Sequence, residues 1–197
     1  MGLAVLIAGL VVFIATHVFV TRREARAALI GRIGLMPYRA LFSLVAIIGL
    51  VLIVWGFGRY LHTGYVQVWT PPAWMRHVTV TLVLFAVILM VAGYIRGNIY
   101  RKLKHPFLAG VKLWALAHLL SNGDLGGIIL FGAILAWAVF DRISLKRRTD
   151  AGAPAIPTGG LASDIIAVVV GVLVYLALGF YFHPLFIGIP VFGPPPV

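Results

Sequence analysis

An all-α, polytopic membrane bundle of about six transmembrane helices is the architecture this sequence predicts, and three observations carry it. Hydrophobic residues fill 62% of the 197 positions and charged ones 11%, with a mean hydropathy of +1.06; a soluble domain needs more charge on its surface. The apolar residues gather into runs near the roughly 20 residues a helix needs to cross the hydrocarbon core. The basic residues behind the net charge of +11 sit in short segments between those runs, where they set topology and meet anionic headgroups. Nucleic acid is therefore not an expected partner; the lipid bilayer is.

The first span runs from Met1 to Val20 and is followed, not preceded, by Arg22, Arg23 and Arg26. A cleaved signal peptide has the opposite charge order, so the run reads as a span with its amino terminus outside. A second span, from about Tyr38 to Phe57, follows Arg32 and Arg39. Gly58 to Trp74 reads as the longest outer loop, with Tyr60, Tyr65, Trp69 and Trp74 as interfacial aromatics and Pro71-Pro72 stopping any helix.

The third span, about Met75 to Tyr94, ends before the basic run Arg96, Arg101, Lys102 and Lys104. The fourth, about Pro106 to Leu120, is short for a full crossing, and Pro106 suits its first turn because the missing N–H goes unused there. A Ser121-Asn122-Gly123-Asp124 turn leads to the fifth, Leu125 to Phe140, and the two arms are expected to pack as a hairpin within the bundle. Beyond Arg142, Lys146, Arg147 and Arg148 comes a linker over Ala151–Gly160. The sixth span covers Asp164 to about Phe182, with a non-helical Pro/Gly-rich tail from His183-Pro184. Arg59 and Arg76 alone stand on the outer side, and Lys112 alone lies within a span, so both termini are expected outside. No internal repeat is visible, and residues 1–197 read as a single domain.

The chain has no cysteine, which excludes disulfides, thiolate chemistry, iron–sulfur clusters and covalent haem. Metalloprotease, P-loop and Ser-His-Asp patterns are absent from the sequence. No acid stands within a span to relay protons, which argues against an ion-coupled pump. Asp124 and Asn122 suit the N-cap of the fifth helix, and Asp164 the same role in the sixth.

Histidine is what remains for chemistry. In the stretch Tyr100–Asp124, helical spacing puts Gly110, Val111, Trp114, His118 and Ser121 on one face, where Gly110 leaves room for a partner helix or a flat cofactor. His118 in a span either ligates a metal or makes an interhelical hydrogen bond worth about 0.6–2 kcal/mol. His17 is a second candidate ligand or an interfacial residue. His105 reads as a first-turn residue meeting headgroups, and His62, His77 and His183 as residues of the outer interface. No residue is singled out as catalytic.

His17 closing the first span, Gly31-Arg32 leading to Tyr38-Arg39-Ala40-Leu41-Phe42-Ser43, Gln67-Val68-Trp69, Lys104-His105-Pro106, Leu113 to His118, and Asn122-Gly123-Asp124 together resemble the NnrU family. The family's domain is also found in the plastid enzyme 15-cis-zeta-carotene isomerase. The resemblance covers nearly the whole chain. It implies a multi-pass protein of the bacterial inner membrane linked to denitrification and nitric oxide metabolism, with a respiratory membrane complex or a lipophilic small molecule as partner.

By the isomerase relative it also implies non-covalent haem b held between the first and fourth helices, with axial ligands at His17 and His118 and with Trp114 and Gly110 beside the haem. His105 is the alternative ligand. A cysteine that can replace a histidine on the relative's iron corresponds here to Ala115, whose methyl cannot, so the relative's polyene isomerisation is the alternative activity. Cofactor-free scaffolding or transport is the third reading. Counted from the inner boundary at 1.5 Å per residue, His17 lies roughly 8 Å deep and His118 roughly 20 Å. Depth alone would pair His17 with His105, or His118 with His62 or His77; strong tilt of the short helices would absorb the mismatch.

Overall fold

The computed structural model describes residues 1–147 and 159–192, and those residues are helical with connecting segments and no strand. The helices are α1 (Gly2–Phe19), α2 (Arg23–Ile33), α3 (Leu35–Thr63), α4 (Met75–Ala92), α5 (Asn98–Leu103), α6 (Pro106–Ser121), α7 (Leu125–Lys146), α8 (Leu161–Ala177) and a π-helix, π1 (Leu178–Ile187). Five stretches are long and apolar enough to cross a membrane: α1, α3, α4, α7 and the continuous Leu161–Ile187. At 16 residues, α6 is the shorter sixth. Leu44, Ile47, Ile48, Val51, Val54 and Trp55 of α3 are exposed, as expected of side chains whose solvent is hydrocarbon. The chain forms two compact units, one of Met1–Thr70 with Gly123–Leu145, the other of Pro71–Asn122 with Lys146–Val197.

In the first unit, α1 packs on α3 through glycines spaced a heptad apart, Gly2 and Gly9 on one helix and Gly49 and Gly56 on the other. A Cβ on Gly9 would lie 2.6 Å from the Ile53 nitrogen, and one on Gly49 2.8 Å from that of Phe13. Backbone therefore meets backbone, which is how membrane helices associate when lipid removes the hydrophobic drive between them. Tyr60, fully buried, ends this contact. Its ring fills the space over Gly126, while its hydroxyl donates to the Val66 carbonyl at 3.2 Å and accepts from the Val66 N–H at 3.0 Å.

That tyrosine anchors the connecting segment, which is stitched to the turn before α7. Val68 N–H and Trp69 N–H donate to the Gly123 carbonyl at 2.8 and 3.0 Å, and Leu125 N–H donates to Val66. The Gln67 amide donates to the Trp69 carbonyl, and a side chain on Gly123 would overlap that carbonyl. Asp124, buried, accepts the Gly127 N–H at 2.7 Å, the N-cap role expected of it.

In the second unit, α4 carries α6 on one side and α8 on the other. Gly110 lets α6 approach until a Cβ would lie 2.5 Å from the Ala86 carbonyl, and Gly171 does the same for α8 against Ile88. Thr79 donates to the Ala117 carbonyl at 3.0 Å, and Tyr175 to that of Val80 at 3.2 Å. Arg76 donates to the Val191 carbonyl at 2.7 Å and to that of Pro190 at 3.3 Å. The Lys104-His105-Pro106 run is the corner between α5 and α6. Lys104 turns the chain at φ 63°, His105 is the N-cap residue, and Pro106 takes the first turn.

Several expectations change. The segments after the first and third spans contain the short helices α2 and α5. The second helix runs six residues past Phe57, so the loop begins at Gly64. Asp164 does not cap its own helix, which starts at Leu161 after Gly160; its carboxylate accepts the Ile99 N–H at 2.9 Å and so serves the start of α5. The last span does not stop at Phe182. It continues as π1 with Pro184 inside, where the helix is wound in the wider i to i+5 pattern. The linker up to Thr158, Arg148 and the residues beyond Phe192 lie outside the described residues.

Candidate functional site: two oriented histidines

His17 lies in the last turn of α1, in the first unit. Its Nδ1 is 2.7 Å from the Phe13 carbonyl, one turn back. A carbonyl only accepts, so Nδ1 is the donor of this bond. Phe13, Phe42 and Trp137 surround the imidazole at centroid distances of 4.2, 5.3 and 5.2 Å.

His118 lies in the last turn of α6, in the second unit, and repeats the arrangement. Its Nδ1 donates to the Trp114 carbonyl at 2.8 Å. The Trp114 ring stands 4.9 Å away, tilted by 50°. Gly110, two turns before His118, has α4 against it. Ala115 is fully buried.

The remaining histidines divide. His62 and His77 are exposed, in keeping with an interfacial role, and His105 stands at the N-terminus of α6, about 20 Å along the helix from His118. His183 departs from expectation: π1 brings its ring to 6.4 Å from that of His118, with the planes 27° apart. Its Nδ1 is buried without a hydrogen-bond partner. Sequence reasoning missed this pair because α-helical continuation past Phe182 was excluded by Pro184, and the rotation that presents His183 depends on the π register.

In each unit, then, one histidine of an apolar helix is oriented through Nδ1 by a backbone carbonyl. That is the way ligating histidines are held, the second nitrogen fixing which one faces the metal. Among the described residues, no three His, Asp or Glu side chains gather into a cluster that could hold a bare metal ion. Haem, whose porphyrin supplies four nitrogens, would ask only one or two imidazoles of the protein, and His118 is of that chemistry.

Fold and side chains together define a polytopic α-helical membrane protein that carries oriented histidines in its apolar helices. The family model described as NnrU protein matches residues 5–191, and the chain belongs to the NnrU family. No curated protein and no solved structure matches it.

Proposed function

We propose that the protein is a non-covalent haem b protein of the bacterial inner membrane, acting in nitrogen-oxide respiration as a redox or sensing element. The observation that supports it is the shared presentation of His17 and His118. Each sits in an apolar helix and meets the carbonyl one turn back through Nδ1, at 2.7 or 2.8 Å. Haem held by neutral imidazoles supplies one-electron redox chemistry.

The chain's own residues orient the donors. Phe13 and Trp114 hold the two rings through their carbonyls, and the Trp114 ring limits rotation of His118. Gly110 serves the site through α4, which it admits close to α6. His118 would be the first ligand, and His17 the second that the family resemblance implies. His183, whose ring lies 6.4 Å from that of His118, would be an alternative second ligand from within the same unit.

Haem content of protein expressed with haem in excess tests this reading. One equivalent per chain is expected in the wild type and a several-fold loss in His118→Ala, with partial recovery on adding free imidazole. Full haem content in His118→Ala would remove the proposed ligand.

A further inference from the structure

Three buried hydrogen-bond donors in the first unit have no acceptor: the Tyr38 hydroxyl, Trp137 Nε1 and Arg26 Nε. Tyr38 is only 6% exposed, so its hydroxyl is closed off from bulk solvent. The three come from different helices, α2, α3 and α7, and are linked through neighbouring rings. The Arg26 guanidinium lies 5.5 Å over the Tyr38 ring, Tyr38 is 6.4 Å from Phe42, Phe42 is 5.3 Å from His17, and His17 is 5.2 Å from Trp137.

Buried polar groups in proteins are rarely left unpaired, and an arginine and an indole N–H can only donate. What completes this cluster must therefore accept. The positive guanidinium favours an anionic oxygen, which takes charge-assisted bonds.

A second feature adjoins it. An open groove of about 440 Å³ runs along α1 and α7, lined only by apolar side chains that include Leu10, Ile14, Val18 and Ala133. Val18 follows His17, and Ala133 is one helical turn before Trp137 on the same face. The donor cluster thus stands at one end of the groove.

We propose that this unit binds an acyl-chain amphiphile with an anionic oxygen head, a carboxylate or a phosphate. The chain lies in the α1–α7 groove, and the head is held by Tyr38, Trp137 and Arg26. The site does not include His118; His17, which packs between Phe42 and Trp137, is shared with the haem reading, so the test uses haem-free protein to keep the two apart.

The test is native mass spectrometry of delipidated, haem-free protein titrated with oleate, with oleoyl lysophosphatidylglycerol and with uncharged monoolein. One equivalent of an anionic amphiphile is expected to bind at least about tenfold tighter than monoolein, as a hydrogen bond to a charged group allows. The tighter of the two anionic probes names the head group. Tyr38→Phe, which removes one oxygen, and Trp137→Phe should each weaken the anionic ligand by about tenfold and leave monoolein unchanged. Ala133→Phe should block all three by filling the groove. Equal affinity for charged and uncharged probes would overturn the proposal, and so would wild-type affinity in Tyr38→Phe. If Trp137→Phe fails to fold, Tyr38→Phe and Ala133→Phe still decide the outcome.

Discussion

Replacing single glycines by alanine separates two effects of opposite sign in the first unit. Alanine is the better helix former by about 0.5–1 kcal/mol. At Gly58 in α3 and Gly132 in α7, where a Cβ would meet nothing within 4 Å, that gain should appear almost undiminished. At Gly9 and Gly49 the new methyl would lie 2.6 and 2.8 Å from backbone nitrogens of the facing helix. A backbone cannot rotate away as a side chain can, so α1 and α3 must separate along their contact. Overpacking costs about 1–3 kcal/mol, so the expected net loss is about 0–2.5 kcal/mol once the propensity gain is subtracted. Reversible unfolding in mixed micelles, followed by circular dichroism, reads both signs. The double change Gly9→Ala with Gly49→Ala should cost less than the sum, because one separation relieves both clashes. If Gly49→Ala gains as much stability as Gly132→Ala, the close α1–α3 contact is wrong.

Further outcomes follow from individual bonds. Tyr60→Phe removes both bonds to Val66 and should cost about 1–3 kcal/mol, with faster hydrogen exchange at Val68 and Trp69. Asp124→Ala leaves the Gly127 N–H without its cap and should cost about 1–2 kcal/mol. Asp164→Ala should raise exchange at Ile99, in α5, and not at the start of α8; the reverse pattern would restore a capping role within its own helix. Burial, then Asp124, then Tyr60, raise the Tyr65 phenol above the usual 10. The folded loop thus holds the proton more tightly than the unfolded chain. Its contribution is full below pH 10 and is lost as pH rises through the raised value, which phenolate absorbance in a Tyr65→Phe difference titration would detect. Because the chain has no cysteine, single cysteines at Arg23 and Tyr65 can be labelled with an impermeant maleimide in intact cells. Charge placement predicts labelling at Tyr65 only.

The apolar stretches were legible because a bilayer admits few ways to satisfy a backbone; the short fourth helix, the Pro106 start and the Asp124 cap are local rules that held. What pairing decides was not legible. The glycines of α1 and α3 are ordinary residues until the two helices meet, and Asp164 resembles a cap for the helix it sits in until α5 is folded beside it. Gln67-Val68-Trp69 and Asn122-Gly123-Asp124 carry the family resemblance, yet backbone bonds from Val68 and Trp69 to Gly123 give both stretches a structural task. At the candidate site, the type and position of His118 were readable, but its tautomer depends on the Trp114 carbonyl and its neighbour His183 on a π register.

The most direct test of the haem reading is the reduced-minus-oxidised optical spectrum of detergent-purified wild type beside His17→Ala, His118→Ala, His183→Ala and His105→Ala. The account predicts b-type bands in the wild type, lost or shifted in His118→Ala and in one of His17→Ala and His183→Ala, and unchanged in His105→Ala. Bands that survive in His118→Ala, or no haem under haem-replete expression, would contradict it.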